Sequence, residues 1–163
     1  MAIRNKVIIW DIDGTLANCN HRLPHILKTY PPDWDKFDAM IMADTPIKPM
    51  ITLNRMLHVH PFTTTLILTS RDARCENKTI QWLNREGVLY DNLCMRPKDD
   101  RRPAYIVKME YMVKLAITPW DVITFFEDDP AVIKHFRESG YHVCAVDDRQ
   151  YVELLSEGGR NVS

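Results

Sequence analysis

The pentad Asp11-Ile12-Asp13-Gly14-Thr15 directly follows the apolar run Lys6–Trp10 (K-V-I-I-W), so two carboxylates stand two residues apart where a strand should end. At that spacing they face the same way only while the backbone stays extended. Gly14 then offers a turn geometry closed to other residues. Two buried like charges this close are costly without a cation or a proton between them. Such a pair at the carboxyl end of a strand, where open α/β sheets bind ligands, therefore points to a bound cation or a shared proton. Read alone, an acidic pair before glycine is also what an ordinary strand-end turn looks like. Further candidates follow in order: Thr69 closing Leu66-Ile67-Leu68, Lys108 inside a helical stretch, and Asp128-Asp129 after Val122–Phe126 and Glu127. Singly these are weak signals, because a strand-end threonine often caps and a helix lysine is often solvated.

The elements that must position these groups read as alternating strands and helices. A short continuous apolar run such as Lys6–Trp10 fits a strand covered on both faces. Strands are expected at Thr65–Thr69, Leu93–Met95, Val122–Phe126 and His142–Val146 as well. Between them, Cys75–Arg85 reads as a helix closed by Gly87, and Pro103 and Pro130 are placed to open two more, the last ending at Gly140. This alternation predicts a parallel sheet with helices on both faces. Residues 18–50 do not fit it. They contain Pro24, Pro31, Pro32, Pro46 and Pro49, and one expected helix, Trp34–Met42, capped by Asp33. We read them as a small lid over the carboxyl edge of the sheet, or else a structural excursion packed on one side. Trp34, Phe37 and Met40 are available there either to cover a base or to form core. The tail from Ser156 is expected to fray.

Composition excludes several classes. A chain of 163 residues with 45% hydrophobic and 26% charged residues is an ordinary single globular domain. Its 21 basic and 22 acidic residues leave a formal charge of -1, so no global field draws it to nucleic acid or membrane, although a local basic patch is still allowed. No apolar run nears the ~20 residues of a membrane span, and Asp11 and Asp13 interrupt the first one. The four cysteines form no CxxC pair and read as reduced thiols of a cytoplasmic protein. The six histidines show no zinc spacing.

The pentad resembles the signature of the haloacid dehalogenase superfamily of phosphohydrolases. That resemblance implies that Asp11 attacks phosphorus to form an aspartyl-phosphate, and that Asp13 protonates the leaving oxygen and then activates water. It further implies that Thr69 binds phosphoryl oxygens and Lys108 neutralises charge. Mg2+ is then held by Asp11, the Asp13 carbonyl, Asp128 and, through water, Asp129. Ser70 is expected to turn away from the site. Over nearly the whole chain the sequence is similar to the phosphatase domains of the bacteriophage polynucleotide kinase family. Arg22 stands 11 residues beyond Asp11, Arg71 follows Thr69-Ser70, and the block from Met95 to Lys108 matches that family's segment. Arg22, Arg71 and Arg96 are thereby implied as substrate-binding, a role that suits the guanidinium fork. Two departures stand out: Pro130 replaces that family's arginine, and no GxxxxGK[ST] loop occurs, so the chain matches the phosphatase half alone and a separate kinase would be its partner.

The expected fold is α/β, a Rossmann-like three-layer sandwich over residues 1–163. Its central parallel sheet has about five strands in the order 3-2-1-4-5, with a small helical lid at about 18–50. The expected activity is magnesium-dependent hydrolysis of a 3′-phosphomonoester at a DNA or RNA end or on a nucleotide. A 5′-(3′)-nucleotidase of the same superfamily is the alternative. Asp147-Asp148-Arg149 repeats the acidic-pair pattern one strand too late and is read as a solvated turn.

Overall fold

The run Lys6–Trp10 does form a strand, and it lies at the centre of a sheet. Along the chain follow β1 (Lys6–Trp10), β2 (Ala17–Asn18), α1 (Pro24–Leu27), α2 (Trp34–Ala39), a 3-10 turn (Ile41–Ala43), β3 (Thr45–Pro46), α3 (Lys48–His58), β4 (Thr63–Asp72), a second 3-10 turn (Ala73–Cys75), α4 (Glu76–Glu86), β5 (Asn92–Arg96), α5 (Ala104–Lys114), β6 (Val122–Glu127), α6 (Pro130–Glu138) and β7 (Val143–Ala145). The computed structural model describes residues 6–146. The Asp147-Asp148-Arg149 motif and the tail from Ser156 lie outside the described residues.

The main sheet runs β5-β4-β1-β6-β7, with every pairing parallel. The label order departs from 3-2-1-4-5 only because two short strands of the insertion, β2 and β3, take numbers of their own and pair antiparallel apart from the main sheet. Strand β1 shows why its sequence does not alternate. Val7 and Ile9 join one buried cluster with Met112, Val132 and Phe136, under α5 and α6. Ile8 and Trp10 join another with Ile51, Trp82 and Leu83, under α3 and α4. Each fully buried aliphatic side chain of β1 contributes ~1.5–3 kcal/mol of burial, which fixes the strand and therefore where its last residue points.

Local signals set the element ends. Gly87 closes α4 at φ 66, and Pro130 opens α6 in its first turn. Pro103 sits one residue earlier than expected, at the N-cap of α5. Asp33 caps α2 by accepting the Lys36 N–H at 2.9 Å, but this helix stops at Ala39 and not at Met42, giving way to the 3-10 turn. Strand β4 is longer than expected at both ends: Thr63 and Thr64 pair with β1, and past Thr69 the pairing with β5 slips, so that Thr69 faces Met95 and Asp72 faces Arg96. Ser70 and Arg71 are therefore extra residues on the β4 side. Among the described residues, no helix is long and apolar enough to cross a membrane.

Candidate active site

Strand order reverses at β1, which has β4 on one side and β6 on the other, and open α/β sheets place ligands beyond the carboxyl ends of the strands at such a point. There the chain brings Asp11 from the end of β1, Thr69 and Ser70 from β4, Lys108 from α5, and Glu127 and Asp128 from the end of β6 around a cavity of about 260 Å3. Asp11 is held by its own N–H, which donates to the Phe126 carbonyl at 3.0 Å. Lys108 is buried and donates to Asp11 Oδ1 at 2.7 Å and to Glu127 Oε2 at 2.6 Å. The other Glu127 oxygen accepts the N–H groups of Asp128 and Asp129, both at 3.1 Å, which fixes the loop carrying the acidic pair.

Gly14 completes this floor. Its φ of +84 is left-handed, and a Cβ there would lie 1.9 Å from Asp128 Oδ2. No other residue lets the Asp128 carboxylate come so near the loop after β1. Asp11, Glu127 and Asp128 each offer an oxygen within 4.8 Å of the others. Three carboxylates face one ammonium, which leaves two negative charges uncompensated. Burial, with Lys108 opposing and Glu127 and Asp13 assisting, pushes Asp11 up to about 7. Burial, then Asp11 and Glu127, pushes Asp128 up to about 9. A divalent cation meets both the charge deficit and the oxygen donor set, so the residues present fit the implied magnesium. Asp129 is not a direct member of the set: its Oδ1 caps α6 by accepting the Ala131 N–H at 2.8 Å.

Asp13 lies in a different balance. Arg22 donates to its Oδ1 at 2.5 Å and Arg71 at 2.6 Å, and both arginines also reach Asp44, at 2.8 Å and 2.7 Å. Two guanidiniums and two carboxylates cancel. Burial works against the charge on Asp13, but Arg71 and Arg22 more than offset it and hold the carboxyl at about 2. Both arginines, expected to contact substrate phosphate, turn their donors inward in this structure. Each is at least 96% buried with its donors on Asp13 and Asp44, although one nitrogen of each, Nη1, has no partner among the described residues. Arg96 also stands off this cavity. It borders a neighbouring one, where it donates to the carbonyls of Ser70, Asp100 and Arg102. Ser70, expected to turn away, lines the first cavity beside Thr69, because the slip in β4 breaks the alternation. In the insertion, Phe37 packs with Cys19 and Leu23, and Trp34 is 38% exposed.

Two residues of this site carried no reading in the sequence. Glu127 had a signal, an acid closing an apolar strand just ahead of the acidic pair. Asp44 had none, since it lies in the proline-rich insertion and meets its partners only through the fold.

The model of the polynucleotide kinase PNKP phosphatase domain matches residues 5–151. A protein of Autographa californica nuclear polyhedrosis virus, described provisionally as a bifunctional polynucleotide kinase/RNA ligase, is 25% identical over 91% of this chain and 20% of its own length. A solved chain of the Pnkp1/Rnl/Hen1 RNA repair complex superposes with a TM-score of 0.74 at 22% identity, over 90% of this chain and 43% of that one. A haloacid dehalogenase-like hydrolase from Streptococcus pneumoniae gives 0.64 at 15% identity, over 89% and 85% of the two chains. The chain thus spans a fifth of the viral relative and under half of the repair-complex chain.

Proposed function

Because the chain belongs to the polynucleotide kinase phosphatase-domain family, we propose that it is a magnesium-dependent phosphomonoesterase that removes the 3′-phosphate of a DNA or RNA end or of a nucleotide. The observation that carries this is the charge arrangement: three carboxylates around one buried lysine, beside a self-neutralised arginine–aspartate quartet. Magnesium bound by Asp11, Asp128 and the Asp13 carbonyl would draw charge from the phosphoryl oxygens. Lys108 holds Asp11 Oδ1 and leaves its other oxygen without a protein donor among the described residues. Asp11 attacks phosphorus, the bond from phosphorus to the sugar oxygen breaks, and that oxygen takes a proton from Asp13. Water then gives a proton to Asp13 and its oxygen to phosphorus, releasing phosphate and restoring Asp11. Thr69 and Ser70 supply hydroxyl donors, and the buried Ser70 Oγ has no protein partner among the described residues.

Asp13 needs a change of partners for the first step. Held at about 2 by the arginines, it is ionised when it should carry a proton. An entering phosphate competes for the same guanidinium donors, and each one it takes raises Asp13 toward protonation. Arg22 and Arg71 thus couple substrate arrival to the acid–base group. The insertion holds the short helices α1 and α2, one 3-10 turn and the two-residue strands β2 and β3, little wall to enclose a whole 5′-nucleotide, which favours a 3′-phosphate whose chain leaves over the rim.

A phosphate-release panel tests the reading, comparing 3′-phosphorylated oligonucleotides, 3′-nucleotides, 5′-nucleotides and sugar phosphates by kcat/KM, with and without magnesium. The 3′-phosphates should lead, and only with the metal. A hundredfold preference for 5′-nucleotides would assign the chain to the 5′-(3′)-nucleotidases and leave the aspartyl-phosphate chemistry standing.

A further inference from the structure

A second cavity of about 290 Å3 adjoins the first and shares Asp13, Phe37 and Ser70 with it. The two lie side by side along β4: the first meets Thr69 and Ser70, the second Ser70, Arg71 and Asp72. The shared wall at Asp13, Phe37 and Ser70 makes the two cavities immediate neighbours.

The charges of this cavity are unevenly satisfied. Its carboxylates have partners inside the protein. Asp13 has Arg22 and Arg71, Asp72 accepts the N–H groups of Arg74 and Asp99, Asp100 takes Arg102 at 2.6 Å, and Asp38 lies 3.9 Å from Arg74. Arg102 is further held by Glu110. Two cations remain. Arg96 is tied only to main-chain carbonyls, and Arg101 has no carboxylate partner among the described residues, its guanidinium lying 5.5 Å from the centre of the Trp34 ring. Burial keeps Arg96 below the ordinary arginine value, whereas carboxylates raise Arg22, Arg71, Arg74 and Arg102 above it.

Arg96 ends β5, and the loop after it that presents Arg101 is built in advance. Asp99 takes a left-handed φ of 60, unusual for a residue with a side chain, and its N–H is tied to Asp72 across the cavity. Strain of this kind persists only where surrounding contacts over-determine it, and it gathers at ligand clamps. Trp34 stands at the rim, edge-on to Phe37 at 5.9 Å, and offers a flat apolar surface beside the cations. Aromatic planes beside guanidinium groups suit unstacked bases and their phosphates.

We propose that this second cavity is a subsite for the nucleotide preceding the phosphorylated terminal one, with its phosphodiester at Arg96 and Arg101 and its base against Trp34. This rests on the reading of the chain as a 3′-phosphatase. It makes a phosphodiester-linked end, not a free mononucleotide, the preferred substrate, through two guanidiniums that no carboxylate holds.

Two measurements test it on wild type and on the double variant Trp34→Ala/Arg101→Gln, whose residues are both on the surface. The first compares kcat/KM for a 3′-mononucleotide and for di- and trinucleotides bearing a 3′-phosphate. Wild type should prefer the dinucleotide over the mononucleotide at least tenfold, with less than a threefold gain for the third residue. The variant should bring that ratio below threefold. A wild-type ratio near one, or a preference that survives in the variant, overturns the subsite. The second measures binding of a hydroxyl-ended dinucleotide against a nucleoside by calorimetry, which needs no turnover. Tenfold tighter dinucleotide binding, lost in the variant, supports the subsite even if no 3′-phosphate is hydrolysed, an outcome that would sink the phosphatase reading alone. Equal binding of the two ligands overturns the subsite whatever the panel shows.

Discussion

Asp11 and Asp13 are two residues apart, yet their surroundings drive them in opposite directions, and the consequences of mutation differ accordingly. Asp11 is pushed up to about 7 by burial, so a neutral amide replaces a group that the fold alone does not favour as an anion. Lys108 keeps Glu127 as a partner when Asp11 becomes Asn. Asp11→Asn should therefore cost only about 1.5–3 kcal/mol, the net worth of one hydrogen bond to a charged group. Its turnover should fall by at least about 10⁴-fold, because the proposed nucleophile is gone. Urea denaturation and steady-state rates check both, and beryllium fluoride should load wild type but not the variant. Substantial turnover by the purified variant would remove Asp11 from the nucleophile's role. Asp44 behaves differently. Replacing it with Asn leaves two buried guanidiniums sharing one carboxylate, and breaking a buried pair in this way costs about 3–5 kcal/mol. A loss under about 1 kcal/mol would show that the quartet relaxes to admit water.

At the scale of the element, the site depends on how strands end. Four residues past the end of β1, Gly14 turns at φ +84, and the space a Cβ would need is already taken by the Asp128 carboxylate. Gly14→Ala combines a left-handed backbone, costing roughly 1–2 kcal/mol, with displacement of one acid of the cluster. Both stability and the rise in Tm on adding magnesium should therefore fall. A variant with reduced Tm but an undiminished response to the metal would dissociate Gly14 from the acidic cluster. Features of this kind explain what was legible in the sequence. The doubly covered β1, the caps at Asp33 and Gly87 and the opening of α6 at Pro130 are written in neighbouring residues, and so were readable. The slip that brings Ser70 into the cavity arises from pairing between β4 and β5, and it defeats an argument from alternation within one strand. Asp44 lies 22 residues from Arg22 and 27 from Arg71, with no local pattern to announce it. Burial of Arg22 and Arg71 could not be read either, because an arginine's depth depends on which carboxylates the fold brings to it.

For the whole molecule, the unbalanced charges of the site make stability depend on pH and metal together. Asp11 at about 7 and Asp128 at about 9 lie above their unfolded value of 3.8, so between those limits the folded protein binds more protons than the unfolded chain. Stability from these groups is complete below the unfolded value and is lost as pH rises through the folded ones. Asp13 has the opposite sign: its contribution is present above 3.8 and lost as pH falls through about 2. Without metal, the melting temperature should therefore decline from mildly acidic conditions toward pH 9. A divalent cation replaces those protons and binds the folded state, so its stabilisation should grow over the same range. Melting curves in chelator and in magnesium from pH 5 to pH 9 check this. Two parallel profiles, with no widening gap, would mean that the metal is held away from Asp11 and Asp128. A gap that widens in wild type but closes when Asp128 is replaced by Asn would tie the effect to this cluster and not to general charge screening.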